Sequence, residues 1–263
     1  MRAALSVAPP RVAGQGRAMW FQKPFFAWIA IGAMGLLALA ATIDLTFLKG
    51  LPEAPDLPDP VLRLLAITQP FMLLAAGTAA GVGLSHRVGL TSWLTARLRG
   101  ESARFPAPAL PIAAGLFGGI LIALADRWFY HVYSGGETPG TALPTLMQGL
   151  AAITYGGIVE ELMLRYGLLT LMFWAAWKLS GRVPGPVLGT MLVIVVALLF
   201  GLGHLPAMAV TAPLDAAIAI RTILLNAVLG VLYGLFYWKR GLEAGMMAHM
   251  ASHPGLWIGL SLF

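Results

Sequence analysis

Seven stretches of the chain are apolar over lengths that match a bilayer: 24–43, 61–84, 108–130, 143–177, 186–205, 218–238 and 242–263. A spanning helix needs about 20 apolar residues to cross roughly 30 Å of hydrocarbon. None of the seven alternates apolar and polar residues, as barrel strands of about ten residues do. In lipid every backbone N–H and C=O must be paired inside the protein, so unbroken apolar runs read as helices. The fourth run is too long for one straight span, because about 35 residues rising 1.5 Å each exceed the hydrocarbon. It is either one tilted helix kinked near Gly167 or two helices with a tight break. The expected fold is all-α, a polytopic transmembrane bundle of seven to eight helices forming a single domain over 1–263.

The charges between the runs orient this bundle. Arg87, Arg97, Arg99 and Arg104 follow the second run, Lys178 and Arg182 the fourth, Lys239 and Arg240 the sixth. The opposite loops carry Asp44, Glu53, Asp56, Asp59, Glu137 and Asp215, with Lys49 as the one base. If the fourth run crosses once, every base-rich loop and the N-terminus share a side, which the positive-inside rule makes cytoplasmic. Arg2, Arg11, Arg17 and Lys23 precede the first run, which is read as a transmembrane helix rather than a cleaved leader. Trp20, Phe21, Trp93, Trp128, Tyr130, Tyr133, Trp177 and Trp238 lie near run ends and read as interfacial anchors. Arg63, Asp126, Arg127, Arg221 and Glu243 also sit where they can reach the interface. Residues 85–106 are expected to hold a short amphipathic surface helix, with Leu90, Trp93, Leu94 and Leu98 on one face.

Composition agrees. Hydrophobic residues are 59% of 263 and charged residues 11%, with a mean hydropathy of +0.81. Soluble domains carry roughly 25% charged residues, so the surplus apolar surface must face lipid. The formal charge of +6 follows from the basic loops and does not point to nucleic acid. Cysteine is absent, which removes disulfides, thiolate metal sites and a cysteine nucleophile. The glycines are scattered at small-residue helix contacts such as Gly115, Gly118 and Gly119.

Against this background a few polar residues are out of place. Ionisable groups at membrane depth are costly and by default mark function. The fourth run holds Glu160, Glu161 and Arg165, the fifth His204, and the last His249 and His253. Asn226 adds an amide in the sixth, read as an interhelical hydrogen bond that can also touch a site. At about 100° per residue, Glu161 and Arg165 share a face and form a favourable i,i+4 ion pair, while Glu160 points elsewhere into the bundle. His249 and His253 share another face. Glu160, His249 and His253 fall near the midplane, and His204 joins them if its helix continues toward Pro213. One carboxylate and three imidazoles at one depth suit peptide hydrolysis, which needs a base for water and donors for the oxyanion.

The spacing Glu160-Glu161-x-x-x-Arg165, Phe200-x-x-x-His204 and His249-x-x-x-His253 resembles the CAAX protease and bacteriocin-processing (CPBP) family, which includes the type II CAAX prenyl endopeptidases. The resemblance covers about 143–263. It implies an intramembrane glutamic endopeptidase without a metal cofactor. Glu160 matches the general base, His204 the histidine that helps hold and activate water, and His249 the histidine that stabilises the oxyanion. Glu161 and Arg165 match the supporting pair. The family's third motif usually ends in Asn or Asp, and here that position is His253. The implied substrate is a peptide or protein in or at the membrane, including lipidated peptides. An Ala- and Arg-rich chain of this kind suits a bacterial plasma membrane.

Two other readings stay open on the residues alone. His204, His249 and His253 could hold zinc, with Glu160 beside them, although the spacing lacks HExxH. The same fold could also serve without catalysis, as an immunity factor, membrane chaperone or scaffold. A transporter is disfavoured by the missing inverted repeats.

Overall fold

The computed structural model describes residues 14–50, 56–134, 143–211 and 213–262. Arg2, Arg11, Glu53, Glu137, part of the 52–60 loop and Phe263 lie outside them. The described residues are all-helical and contain no strand. The elements are α1 Gly14–Thr42, α2 Leu45–Lys49, α3 Asp59–Leu84, a 3₁₀ turn Ser85–Val88, α4 Trp93–Leu98 and α5 Ala109–Ser134. The motif run follows as α6 Leu146–Ala151, a wider segment Ala152–Leu169 and α7 Thr170–Ser180. Then come α8 Pro186–Gly203, α9 Leu205–Thr211, α10 Ala216–Arg240 and α11 Leu242–Ser261.

Among the described residues, five helical stretches are long and apolar enough to cross a membrane: Met19–Thr42, Asp59–Val88, Ala109–Tyr133, Pro186–Val210 and Ala216–Arg240. The two other long stretches are the motif run and α11. These carry Glu160, Glu161 and Arg165, and His249 and His253. The polar residues that mark a site are the ones that lower their hydropathy.

Of the two forms expected for this run, the one with a break near Gly167 does not occur. Helix runs on from Leu146 to Ser180, and a straight α-helix of that length measures about 50 Å. What is unusual is the winding. From Ala152 to Leu169 the backbone takes i→i+5 turns, as where the Thr170 N–H reaches the Arg165 carbonyl. Such turns are rare and collect at functional sites. Gly167 serves another purpose: a Cβ there would run into the Gly77 backbone of α3, so a pair of glycines lets these helices touch.

Local chemistry sets the helix ends that matter. Thr145 and Gln148 form a capping box that starts the motif run. Pro186 at the first turn starts α8. Pro206 cannot donate to a carbonyl four residues back, so the helix loosens at His204 before resuming as α9. The fifth span therefore continues past His204, and that residue lies within it rather than at its end. Asp215 caps α10 by accepting the Ile218 N–H at 2.9 Å. The Tyr133 hydroxyl and backbone N–H groups hold the Asp215 carboxyl below its usual range.

Glycines also bring α5 and α11 into backbone contact. A Cβ at Gly115 would strike the Ala248 carbonyl, and one at Gly119 the Ser252 carbonyl. Gly255 and Gly259 do the same from the other side, against Leu116 and Ile120. This small-residue packing replaces the hydrophobic force that lipid cannot supply.

Three residues read as lying near the interface are tied into the bundle. Glu243 is buried. Its carboxylate accepts the Ser92 hydroxyl at 2.8 Å and the backbone N–H groups of Trp93 at 2.9 Å and Leu94 at 3.0 Å. It thereby satisfies the donors at the start of α4, the short amphipathic helix, and binds that helix to α11. Tyr130 is buried rather than anchored at an interface. Arg63 donates to the carbonyls of Ala40 and Ile43 and so closes the end of α1.

Candidate active site

A cavity of about 320 Å³ lies between the motif run, α5, α8, α10 and α11. Glu160, Phe200, His204, Asn226, His249 and His253 all line it. Glu161 and Arg165 stand behind the wall, fully buried. The residues singled out from spacing alone thus meet around one cavity.

His249 is the hinge of the arrangement. Its Nδ1 lies 2.9 Å from Glu161 Oε1. A carboxylate accepts, so this nitrogen donates. Its Nε2 lies 3.8 Å from Glu160 Oε2. Adjacent glutamates therefore reach opposite nitrogens of one imidazole. Simple α-helical arithmetic separates them by about 100° and turns Glu160 away from its neighbour's partner. The His249 ring, which comes from α11, lies between the two carboxylates and turns one nitrogen toward each.

Glu161 does more than pair within its helix. Its Oε1 accepts Arg165 Nη1 at 2.9 Å as well as His249. Arg165 in turn donates from Nη2 to the Gly230 carbonyl at 3.0 Å, and its guanidinium carbon sits 4.6 Å from the centre of the Phe200 ring. A charged pair buried this deeply is held only when each charge is compensated. Here the carboxylate orients an imidazole by the logic that any base needs an orienting group.

His204 is fixed differently. Its Nδ1 is 2.8 Å from the Phe200 carbonyl, which can only accept. Nδ1 therefore carries the proton, and Nε2 is left to accept. The Phe200 ring packs edge-on against His204 at 4.6 Å and His249 at 5.7 Å. His253 stacks on His249 at 5.3 Å, and its Nε2 has no hydrogen-bond partner in the protein.

Asn226 differs from its reading. It makes no interhelical bond; its amide nitrogen donates to the Thr222 carbonyl of its own helix at 2.8 Å, and it lines the cavity. Asp126 and Arg221, read as interfacial, form an ion pair across α5 and α10 in the same cavity wall. Among the described residues no group of three His, Cys, Asp or Glu could hold a metal ion.

Three further residues shape the site without a sequence signal. Tyr233 stacks on His249 at 4.2 Å with the rings 14° apart. Its hydroxyl pairs with Ser252 Oγ at 2.5 Å, and Ser252 donates to the His249 carbonyl at 2.7 Å. Gly156 lies under both imidazoles: a Cβ there would come within 2.7 Å of His253 Nε2 and 3.3 Å of His249 Nε2. Gly156→Ala is therefore expected to displace the rings by a fraction of an ångström. Misplacement on that scale costs about 10- to 100-fold in rate, read as kcat with little change in unfolding temperature.

A family model described as type II CAAX prenyl endopeptidase Rce1-like matches residues 141–253. The matched stretch begins just before α6 and ends on His253. It agrees with the resemblance carried by the three motifs. No curated protein and no solved structure matches the chain.

Proposed function

We propose that the chain, whose residues 141–253 match a family model described as type II CAAX prenyl endopeptidase Rce1-like, is an intramembrane glutamic endopeptidase with Glu160 as its base. The observation that carries this reading is Glu160 Oε2 facing His249 Nε2 across 3.8 Å in a cavity shared with His204 and His253. Water attacks the scissile carbonyl carbon and gives its proton to Glu160. His204 Nε2 accepts the other hydrogen and aims the lone pair. Collapse of the tetrahedral intermediate breaks the C–N bond, and the leaving nitrogen takes the proton back from Glu160.

The oxyanion needs donors. His249 donates to Glu161 through Nδ1, so it donates from Nε2 only as the imidazolium, with Glu161 as counter-charge. His253 is the second candidate donor. The substrate is a peptide or protein in or at the membrane, and the N-terminus is cytoplasmic.

Cleavage of a membrane-presented peptide by the purified protein tests this reading. His204→Ala should abolish turnover. His253→Asn should keep or raise it, because an amide donates in every protonation state. Activity that survives a chelator separates this chemistry from zinc. Peptide binding without cleavage in the wild type would sink the hydrolase reading in favour of a scaffold.

A further inference from the structure

The cavity is offset toward one end of the helices that line it, and its position relative to the charged loops has a consequence for substrate. On α5 the lining consists of Ile122 and Asp126, in the half that ends at Ser134. On α10 it runs from Arg221 to Tyr233 and never reaches the Lys239–Arg240 end. On α11 it runs from His249 to Leu260, one residue from the helix end, and leaves out Leu242–Ala248. The motif run contributes only Ala152 to Glu160. On each of these helices the lining is offset toward the end away from the basic loops, though on α10 and α11 it begins or ends near the middle.

The other end is closed. Thr170 pairs with Tyr237 at 2.6 Å and Thr95 with Tyr166 at 2.7 Å, all of them buried. Glu243 is consumed by α4. The cavity end, by contrast, holds the Asp126–Arg221 ion pair and two polar atoms without a protein partner, His253 Nε2 and Thr222 Oγ1. Charges and unsatisfied groups at such depth call for a wet environment.

Arg87, Arg97, Arg99, Arg104, Lys178, Arg182, Lys239 and Arg240 mark the closed side, which by the positive-inside rule is cytoplasmic. We propose that the cavity fills from the opposite face and that its substrate is a peptide segment delivered on the non-cytoplasmic side, not a cytoplasmic tail. The substrate part of this proposal rests on the endopeptidase reading; the side of access does not.

The chain contains no cysteine, so single cysteines can be placed without background. Leu229 and Ile122 line the cavity near mid-helix. A thiol there reacts with a charged, membrane-impermeant maleimide only through water. Leu229→Cys and Ile122→Cys are expected to react in intact cells and to be silent in inside-out vesicles. Arg182→Cys, exposed beyond α7, should do the reverse. Two positions guard against one variant that fails to fold. Reaction from the cytoplasmic side, from both sides or from neither overturns the proposal, as does reaction of the Arg182→Cys control in intact cells. Labelling needs no turnover, so a loss of the hydrolase reading would leave this result standing, and a wrong side of access would leave hydrolysis standing.

Discussion

Glu160→Gln is expected to lower kcat for peptide cleavage by about 10²- to 10⁴-fold, the range attributed to a positioned general base. The substitution keeps the shape of the side chain and its reach into the cavity, but an amide cannot take a proton from water. KM should change little, since Glu160 is proposed to act in the transition state rather than in ground-state binding. Folding should not suffer. Glu160 pairs with no arginine or lysine, since the Arg165 guanidinium is committed to Glu161 and Gly230, and the resting His249 ring beside it is neutral in this proposal. An intramembrane carboxylate without a dedicated counter-ion costs stability, so its amide should raise the unfolding temperature slightly. Lower turnover with equal or higher stability is the signature to measure in detergent, side by side with wild type. Turnover equal to wild type would remove Glu160 as the base.

Much of this arrangement was legible before any coordinates. Apolar runs and basic loops in alternation dictate helices and their order, because lipid permits no other backbone solution for long apolar segments. The cost of ionisable groups in hydrocarbon singles out Glu160, Glu161, Arg165, His204, His249 and His253, and these do converge. The continuation of the fifth span beyond His204 also follows from apolar residues as far as Val210.

The errors have a common cause in geometry that spacing does not carry. A fixed step of about 100° sends Glu160 into the bundle and Glu161 onto Arg165, as found, but it does not show that the His249 ring from α11 lies between the two carboxylates. Gly167 looked like a hinge, yet glycine is needed there for contact with Gly77, a residue 90 positions earlier. Glu243 sits three residues after a basic pair and resembles a surface residue; its partners at Ser92 to Leu94 are remote in the chain. Tyr233 lies in an apolar run like any interfacial tyrosine, and only the crossing of α10 with α11 lays it on His249. Gly156 carries no signal beyond being small. Contacts between distant segments decide each of these cases, and periodicity is a local quantity.

The buried pair offers the second large effect. Arg165→Leu should destabilise the protein by about 3–5 kcal/mol, the usual cost of removing one member of a buried ion pair. Glu161 would then keep a charge at 0% exposure with only His249 Nδ1 to answer it. Replacing both, as Glu161→Leu with Arg165→Leu, should restore much of that stability, since apolar side chains of similar volume often match a buried pair. Activity should not return. Without Glu161 the His249 ring loses the acceptor that fixes Nδ1 as donor and the counter-charge for its imidazolium, and loss of an orienting carboxylate costs about 10⁴-fold in the best-studied triads. A smaller loss, of at least about 100-fold, is expected here, because stacking on Tyr233 still holds the ring. Unfolding in detergent and kcat measured on the two single variants and the double variant separate the roles. If the double variant recovers both stability and turnover, Glu161 is a packing element and the His249 ring is oriented by its stacking on Tyr233.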